Sequence, residues 1–166
     1  LFLGSNDFHK NAEIVIKALT TPKLQDLNIV FIGENKELKA TCKDFKITHR
    51  AFFLGRLEDQ EIAYVMSKAS VLVFPSLYEG FGLPPLEAAL HGVPSVCSKK
   101  PAMTEILDKS ALFADPSNFL EWSEQIYKLI NEPELRVQII QNATAKANKL
   151  SWEDSSRKLL QLLSSI

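Results

Sequence analysis

Short apolar runs recur along this chain at residues 1–3, 28–32, 51–54, 71–74, 94–97 and 111–114. Each is too short for a helix and lies between stretches with helical spacing, so the pattern predicts strands alternating with crossover helices. That alternation builds a parallel sheet, and right-handed crossovers on both sides make it a Rossmann-like, doubly wound α/β fold. Residues 71–74, Val-Leu-Val-Phe, are apolar at every position, as expected of a strand covered on both faces. Inward stripes are visible in two helical stretches: Ile14, Ala18 and Leu19 within residues 12–19, and Ile62, Val65 and Met66 within residues 59–68. Asn11 stands where the first of these helices would be capped.

Beyond Pro116 the pattern changes. Residues 118–131, 133–149 and 151–164 read as three successive helices, with Pro133 and Ser151 marking the starts of the later two. They predict a helical carboxy-terminal tail packed beside the sheet. With no internal repeat, low-complexity tract or long linker, residues 1–166 are expected to form one domain. A chain of this length buries roughly 70% of the surface that its unfolded form exposes, so it needs no disulfide or metal to hold it. The sequence opens at Leu1 inside an apparent strand, without an initiator methionine or a preceding turn, and is expected to be a fragment.

Composition narrows the function. The net charge is −1 and both signs are interspersed, which leaves no basic field for nucleic acid; Lys99 and Lys100 are too short a run to make one. Cys42, in an expected surface helix, and Cys97, in an expected core strand, lack C-x-x-C spacing. They read as free thiols of a reducing, cytoplasmic compartment. No apolar run is long enough to span a membrane, and no signal peptide is visible. His9, His49 and His91 show no ligand spacing, His91 reading as a helix-end or packing residue, and there is no D-x-D motif, so neither metal nor cofactor is expected. Gly80 and Gly82 are followed by Pro85 where a dinucleotide fingerprint needs its third glycine, which disfavours a nicotinamide dehydrogenase.

Candidate chemistry concentrates between residues 75 and 94. Glu79 and Glu87 bracket a loop of Gly80, Phe81, Gly82 and Leu83 that leads from the apolar strand at 71–74 into a helix announced by Pro84 and Pro85 and ended by Gly92 and Pro94. In an open parallel sheet such a loop lies at the carboxyl edge, where ligands enter the crevice. Gly80 and Gly82 remove side chains and permit positive φ, so the loop amides can reach a ligand; the same glycines would also serve a tight turn with no ligand. Glu87, in the first helical turn, is favoured by the helix dipole, or holds two neighbouring ribose hydroxyls. Glu79, at the end of a buried strand, requires a hydrogen-bond donor, which a backbone amide of its own loop can supply. Phe81 reads as a packing residue that shapes the loop. Lys10 sits beside a helix amino terminus, where a cation is disfavoured unless an anion joins it.

The block from Glu79 to Ala88 resembles the E-x7-E signature of retaining family 4 glycosyltransferases, in the carboxy-terminal, nucleotide-sugar-binding half of their GT-B fold. The resemblance runs upstream through Phe53-Leu54-Gly55-Arg56-Leu57 and residues 59–64. Downstream it passes through residues 92–96, Glu105, residues 111–116 and residues 151–153. It implies a single donor-binding domain over residues 1–166, one half of a GT-B fold, with the amino-terminal acceptor domain absent. Glu87 would hold the ribose, and Glu79 would accept from hydroxyls of the donor sugar. Gly4, Ser5 and Lys10 would lie at the diphosphate. The family's arginine stands here as Ser5, so part of the usual cationic clamp is missing or supplied elsewhere, for which Arg56 is a candidate, unless it is simply solvated. Leu57 would border the base.

The function so implied is metal-independent transfer of a hexosyl group from a UDP- or GDP-hexose, with retention of configuration. The acceptor would be a glycan or lipid-linked sugar held by the missing half, which could also bring the enzyme peripherally to a membrane surface. Ser5 keeps open a non-catalytic nucleotide-sugar-binding module. A GT-B epimerase or phosphorylase is the other alternative.

Overall fold

The structure, a computed structural model, describes residues 1–5, 7–34 and 36–164. The expected strands form to within one residue at each end: β1 (Phe2–Leu3), β2 (Ile29–Ile32), β3 (Ala51–Gly55), β4 (Leu72–Phe74), β5 (Ser95–Ser98) and β6 (Leu112–Ala114). All five neighbouring pairs are parallel, in the order β3-β2-β1-β4-β5-β6. Every residue of β4 and β5 is buried, as a doubly covered strand requires. Edge strand β3 alternates half-buried with exposed positions and leaves Phe52 and Leu54 exposed. The chain winds from β1 outward to β3, returns to β4 beside β1, and continues outward to β6. The carboxyl ends of β1 and β4 therefore flank the point where the winding reverses, the place where such sheets open a crevice.

Helices cover both faces. α1 (Ala12–Leu19) is buried over more than the expected stripe, with Val15 and Ile16 joining Ile14, Ala18 and Leu19 against Phe2, Phe31, Trp122, Ile126 and Leu129. The Phe31 ring stacks on Phe53, centroids 4.8 Å apart, which ties β2 to the edge strand. α2 (Lys36–Asp44) lies on the surface but turns Cys42 fully inward. α3 (Asp59–Lys68) buries Met66 and begins with a capping box between Glu58 and Glu61. α4 (Pro84–Leu90) follows β4, with Gly92 at φ 74° closing it as expected. α5 (Pro101–Leu107) is not signalled by the apolar pattern: seven residues make about two turns, too few to show a stripe.

The tail departs from expectation in its last member. α6 (Phe119–Asn131), capped by Asn118, packs against α1, and its Trp122 indole donates to the Asp115 carbonyl at 2.9 Å. α7 (Pro133–Ala147) packs against α4. α8 (Trp152–Ser164) begins where Ser151 Oγ accepts from the Asp154 amide at 3.0 Å, yet it buries no residue and leaves Trp152 and Leu160 exposed. It does not pack beside the sheet. Among the described residues no helix is long and apolar enough to cross a membrane.

Candidate functional site

The loops leaving β1 and β4 are bound to each other across the reversal point. After β1 the chain turns at Gly4, φ 147°, and forms a short 3-10 turn over Phe8–Lys10 before α1. After β4 it runs through Pro75 to Leu83 and enters α4. The Leu77 amide donates to the His9 carbonyl at 2.7 Å. Lys10 Nζ donates to Glu79 Oε1, also at 2.7 Å, with only 22% of the lysine and 17% of the glutamate side chain exposed. The ammonium lies 5.8 Å from the centre of the buried Phe74 ring. Its methylene stem crosses Gly4, where a Cβ would stand 3.6 Å from Lys10 Cγ and Cδ. Phe74 and Gly4 thus form the floor on which the ion pair rests.

The donor for Glu79 is therefore Lys10 rather than an amide of its own loop. The backbone of that loop remains free: among the described residues, the amides of Gly80, Phe81, Gly82 and Leu83 donate to no protein acceptor. The two glycines differ. Gly82 has φ 80°, which favours glycine, and a Cβ there would press on the end of the Met103 side chain beneath it, which would have to shift. Gly80 has ordinary φ and open space around it, so the positive-φ argument does not extend to it. Phe81, expected to pack, is 42% exposed, and Leu83 is exposed beside it.

Glu87 occupies the first turn of α4 with an exposed carboxylate that has no protein partner among the described residues. The amino end of α4 offers nothing comparable for an anion. Pro84 and Pro85 have no N–H, and the amides of Leu86 and Glu87 already donate to the Leu83 carbonyl at 2.9 and 3.0 Å. Asn11 does not cap α1 either. It adopts φ 51°, and its side-chain amide donates to the Pro116 carbonyl at 2.9 Å, linking the Lys10 loop to the end of β6.

The remaining candidates lie further out. Ser5 is half-buried, and its hydroxyl donates to the Asp7 carboxylate. Arg56 follows β3 with 81% of its side chain exposed and pairs with Glu34 at 3.1 Å, which matches a solvated surface residue. Leu57 is half-buried and, with Leu54, Gln60 and Tyr64, lines an open cavity of about 340 Å³ at the sheet edge. Strand spacing places β3 about 10 Å across the sheet from β1. A larger cavity, about 420 Å³, lies at the amino ends of the strands, around Leu1, Ile29 and Val71, on the opposite edge from Lys10 and Glu79. His91 ends α4 with its side chain exposed. Cys42 and Cys97 are both buried and unpaired; burial pushes the Cys42 thiol up to about 11 and raises Cys97 further. Among the described residues no group of three or more His, Cys, Asp or Glu side chains is gathered to hold a metal.

Sequence reasoning did not join Lys10 to Glu79, although the signal was present on each side. A cation next to a helix amino terminus and a carboxylate at the end of a buried strand each lacked a counter-charge. Met103 beneath Gly82 had no sequence signal.

The family described as glycosyl transferases group 1 matches residues 1–146. O-antigen chain mannosyltransferase B of Escherichia coli is 34% identical over 108 residues, which covers 65% of this chain and 28% of that protein. The fold of HepE from Anabaena, crystallised with UDP, superposes with a TM-score of 0.86 at 23% identity, over 99% of this chain and 48% of that one. HepE has also been crystallised with UDP-glucose. The C-terminal domain of a glycosyl transferase group 1 family protein, LpcC from Francisella tularensis, superposes with a TM-score of 0.75 at 26% identity, over 89% of this chain and 83% of that domain. The chain spans less than half the length of the mannosyltransferase and of HepE.

Proposed function

We propose, given that the chain belongs to the glycosyl transferases group 1 family, that it is the carboxy-terminal, donor-binding half of a retaining GT-B enzyme that transfers a hexosyl group from a UDP- or GDP-hexose. The observation that carries this reading is the joining of Lys10 and Glu79 at the reversal point of the sheet, beside a loop whose amides have no protein acceptor among the described residues. Lys10 would donate to the diphosphate and stabilise the charge that develops on it as the bond from the anomeric carbon to the phosphate oxygen breaks. The amides of Gly80 to Leu83, which donate to no protein acceptor among the described residues, would support it. Glu79 would accept from hydroxyls of the hexose, Glu87 would hold the ribose, and Gly4 would leave room for the Lys10 stem that reaches the diphosphate. Leu57, about two strand spacings away, would border the base. An acceptor hydroxyl, brought by a second half of the enzyme, would attack the anomeric carbon on the face that the diphosphate leaves and pass its proton to the departing diphosphate oxygen. Cationic and amide groups would carry the electrostatic role without a divalent metal.

The Ser5 hydroxyl, turned to Asp7 where the resembling family has an arginine, favours a second reading, a nucleotide-sugar-binding module without transfer. The experiment that tests the site is calorimetry of UDP and GDP on the parent and on Lys10→Ala. Loss of a charge-assisted bond worth about 1.5–3 kcal/mol should weaken the bound diphosphate about tenfold to a hundredfold, while the corresponding nucleoside binds both proteins equally. Equal affinity of parent and variant for the diphosphate at low salt would reduce Lys10 to a surface charge.

A further inference from the structure

We infer that the Lys10–Glu79 ion pair is a clasp that a sugar-bearing nucleotide opens freely and a bare nucleoside diphosphate engages only against the Glu79 carboxylate, so that Glu79 discriminates donor from spent product. The inference rests on the donor-site reading above and concerns what that reading leaves open: how a site that stabilises a leaving diphosphate lets it go.

Glu79 and an incoming diphosphate contend for one set of donors. Lys10 has a single ammonium, already 2.7 Å from Glu79 Oε1, and Glu79 has no other side-chain or backbone donor among the described residues. Both are largely withdrawn from water, which makes an unpaired carboxylate costly and a nearby like charge strongly felt. A diphosphate that reaches Lys10 must therefore take the ammonium from Glu79 or share it. The first leaves a mostly buried carboxylate without a donor. The second sets phosphate and carboxylate on the same ammonium, where they repel.

A hexosyl group relieves the shortage of donors, though not the charge on Glu79. Its hydroxyls donate to Glu79 and replace the lysine, and Lys10 is then free to turn to the phosphates. The same carboxylate that favours the donor thus disfavours the diphosphate once the sugar has left. No covalent step is involved, and the clasp reforms when Lys10 returns to Glu79. The ion pair also holds the lysine stem over Gly4 and the Phe74 ring between turnovers, so the cation is in place for the next donor.

Glu79→Gln tests this, since it keeps the shape and an acceptor while removing the charge. Calorimetry would compare UDP with UDP-glucose and GDP with GDP-mannose on the parent and the variant. The clasp predicts that the two ligands part: the free diphosphate binds Glu79→Gln about tenfold tighter, a gain of about 1.4 kcal/mol, while the sugar nucleotide gains nothing or binds more weakly. Glu79→Ala, lacking charge and acceptor, should show the same gain for the diphosphate and a larger loss for the sugar nucleotide. A residue that merely positions Lys10 would weaken both ligands together, and diphosphate binding unchanged or weakened in both folded variants overturns the clasp. Failure of the parent to bind any of the four ligands would instead overturn the donor-site reading, and the clasp with it.

Discussion

Replacing Gly82 with alanine should destabilise the protein through two separable effects, one in the backbone and one in the core beneath it. Gly82 has φ 80°, a conformation that costs a residue with a side chain about 1–2 kcal/mol. The added Cβ would also stand 2.4 Å from Met103 Cε and 2.8 Å from its Sδ. Carbon contacts settle at about 3.5–4.0 Å, so the thioether would have to retreat by about 1 Å. Met103 is 1% exposed and packed among Phe74, Leu86, Cys97 and Leu107, so there is little room for it to go. Overpacking of that kind costs about 1–3 kcal/mol, which brings the expected loss to about 2–5 kcal/mol, a large part of a domain's usual ~5–15 kcal/mol. Urea midpoints and thermal melts would measure it, with a fall in Tm of about 2–4 °C per kcal/mol for a chain of this size. Gly80→Ala is the control. It has ordinary φ and no atom within 4 Å of the added Cβ, so its effect should stay within about 0.5 kcal/mol. Met103→Ala alone should cost about 2–5 kcal/mol through the cavity it leaves. In the double variant the clash disappears, so the combined loss should fall short of the sum by about 1–3 kcal/mol. A Gly82→Ala protein as stable as Gly80→Ala would refute the strain argument. A double variant that equals the sum would refute the clash.

Two further outcomes are expected. Glu87→Ala should weaken a nucleoside diphosphate by about 1.5–3 kcal/mol for each ribose bond lost; unchanged calorimetric affinity in a folded variant would return Glu87 to a helix-dipole role. Asp115 should titrate below the ordinary aspartate range, because its carboxylate accepts from the Ser117 hydroxyl and amide with a smaller pull from Lys100 and Lys99. A depressed folded value means stability that is present above the unfolded pKa and lost as pH falls through the folded one. Carboxyl NMR should show Ser117→Ala moving the Asp115 midpoint upward, and no movement would discard that assignment.

The strands and the class of fold were legible along the chain, because run length and periodicity are local properties. Residues 71–74 are apolar enough to be read as a covered strand, and β4 is buried throughout. Pro84, Pro133 and Ser151 mark helix starts through backbone chemistry that needs no tertiary partner. Local reasoning failed where another part of the chain supplied the competing bond or the empty space. Asn11 suits a cap, but the Pro116 carbonyl, 105 residues away, takes its amide. The Pro84–Pro85 start was legible, yet those prolines and the Leu83 carbonyl leave α4 without free amides to offer. The amphipathic pattern of α8 gave no hint that the helix would stay uncovered. The tertiary structure alone decided that Lys10 meets Glu79, 69 residues apart, because strand order places β1 beside β4 and periodicity carries no information about which strands become neighbours. Each residue's unmet charge could be read from its position in the chain, but the partner that answers it is set by the winding of the sheet.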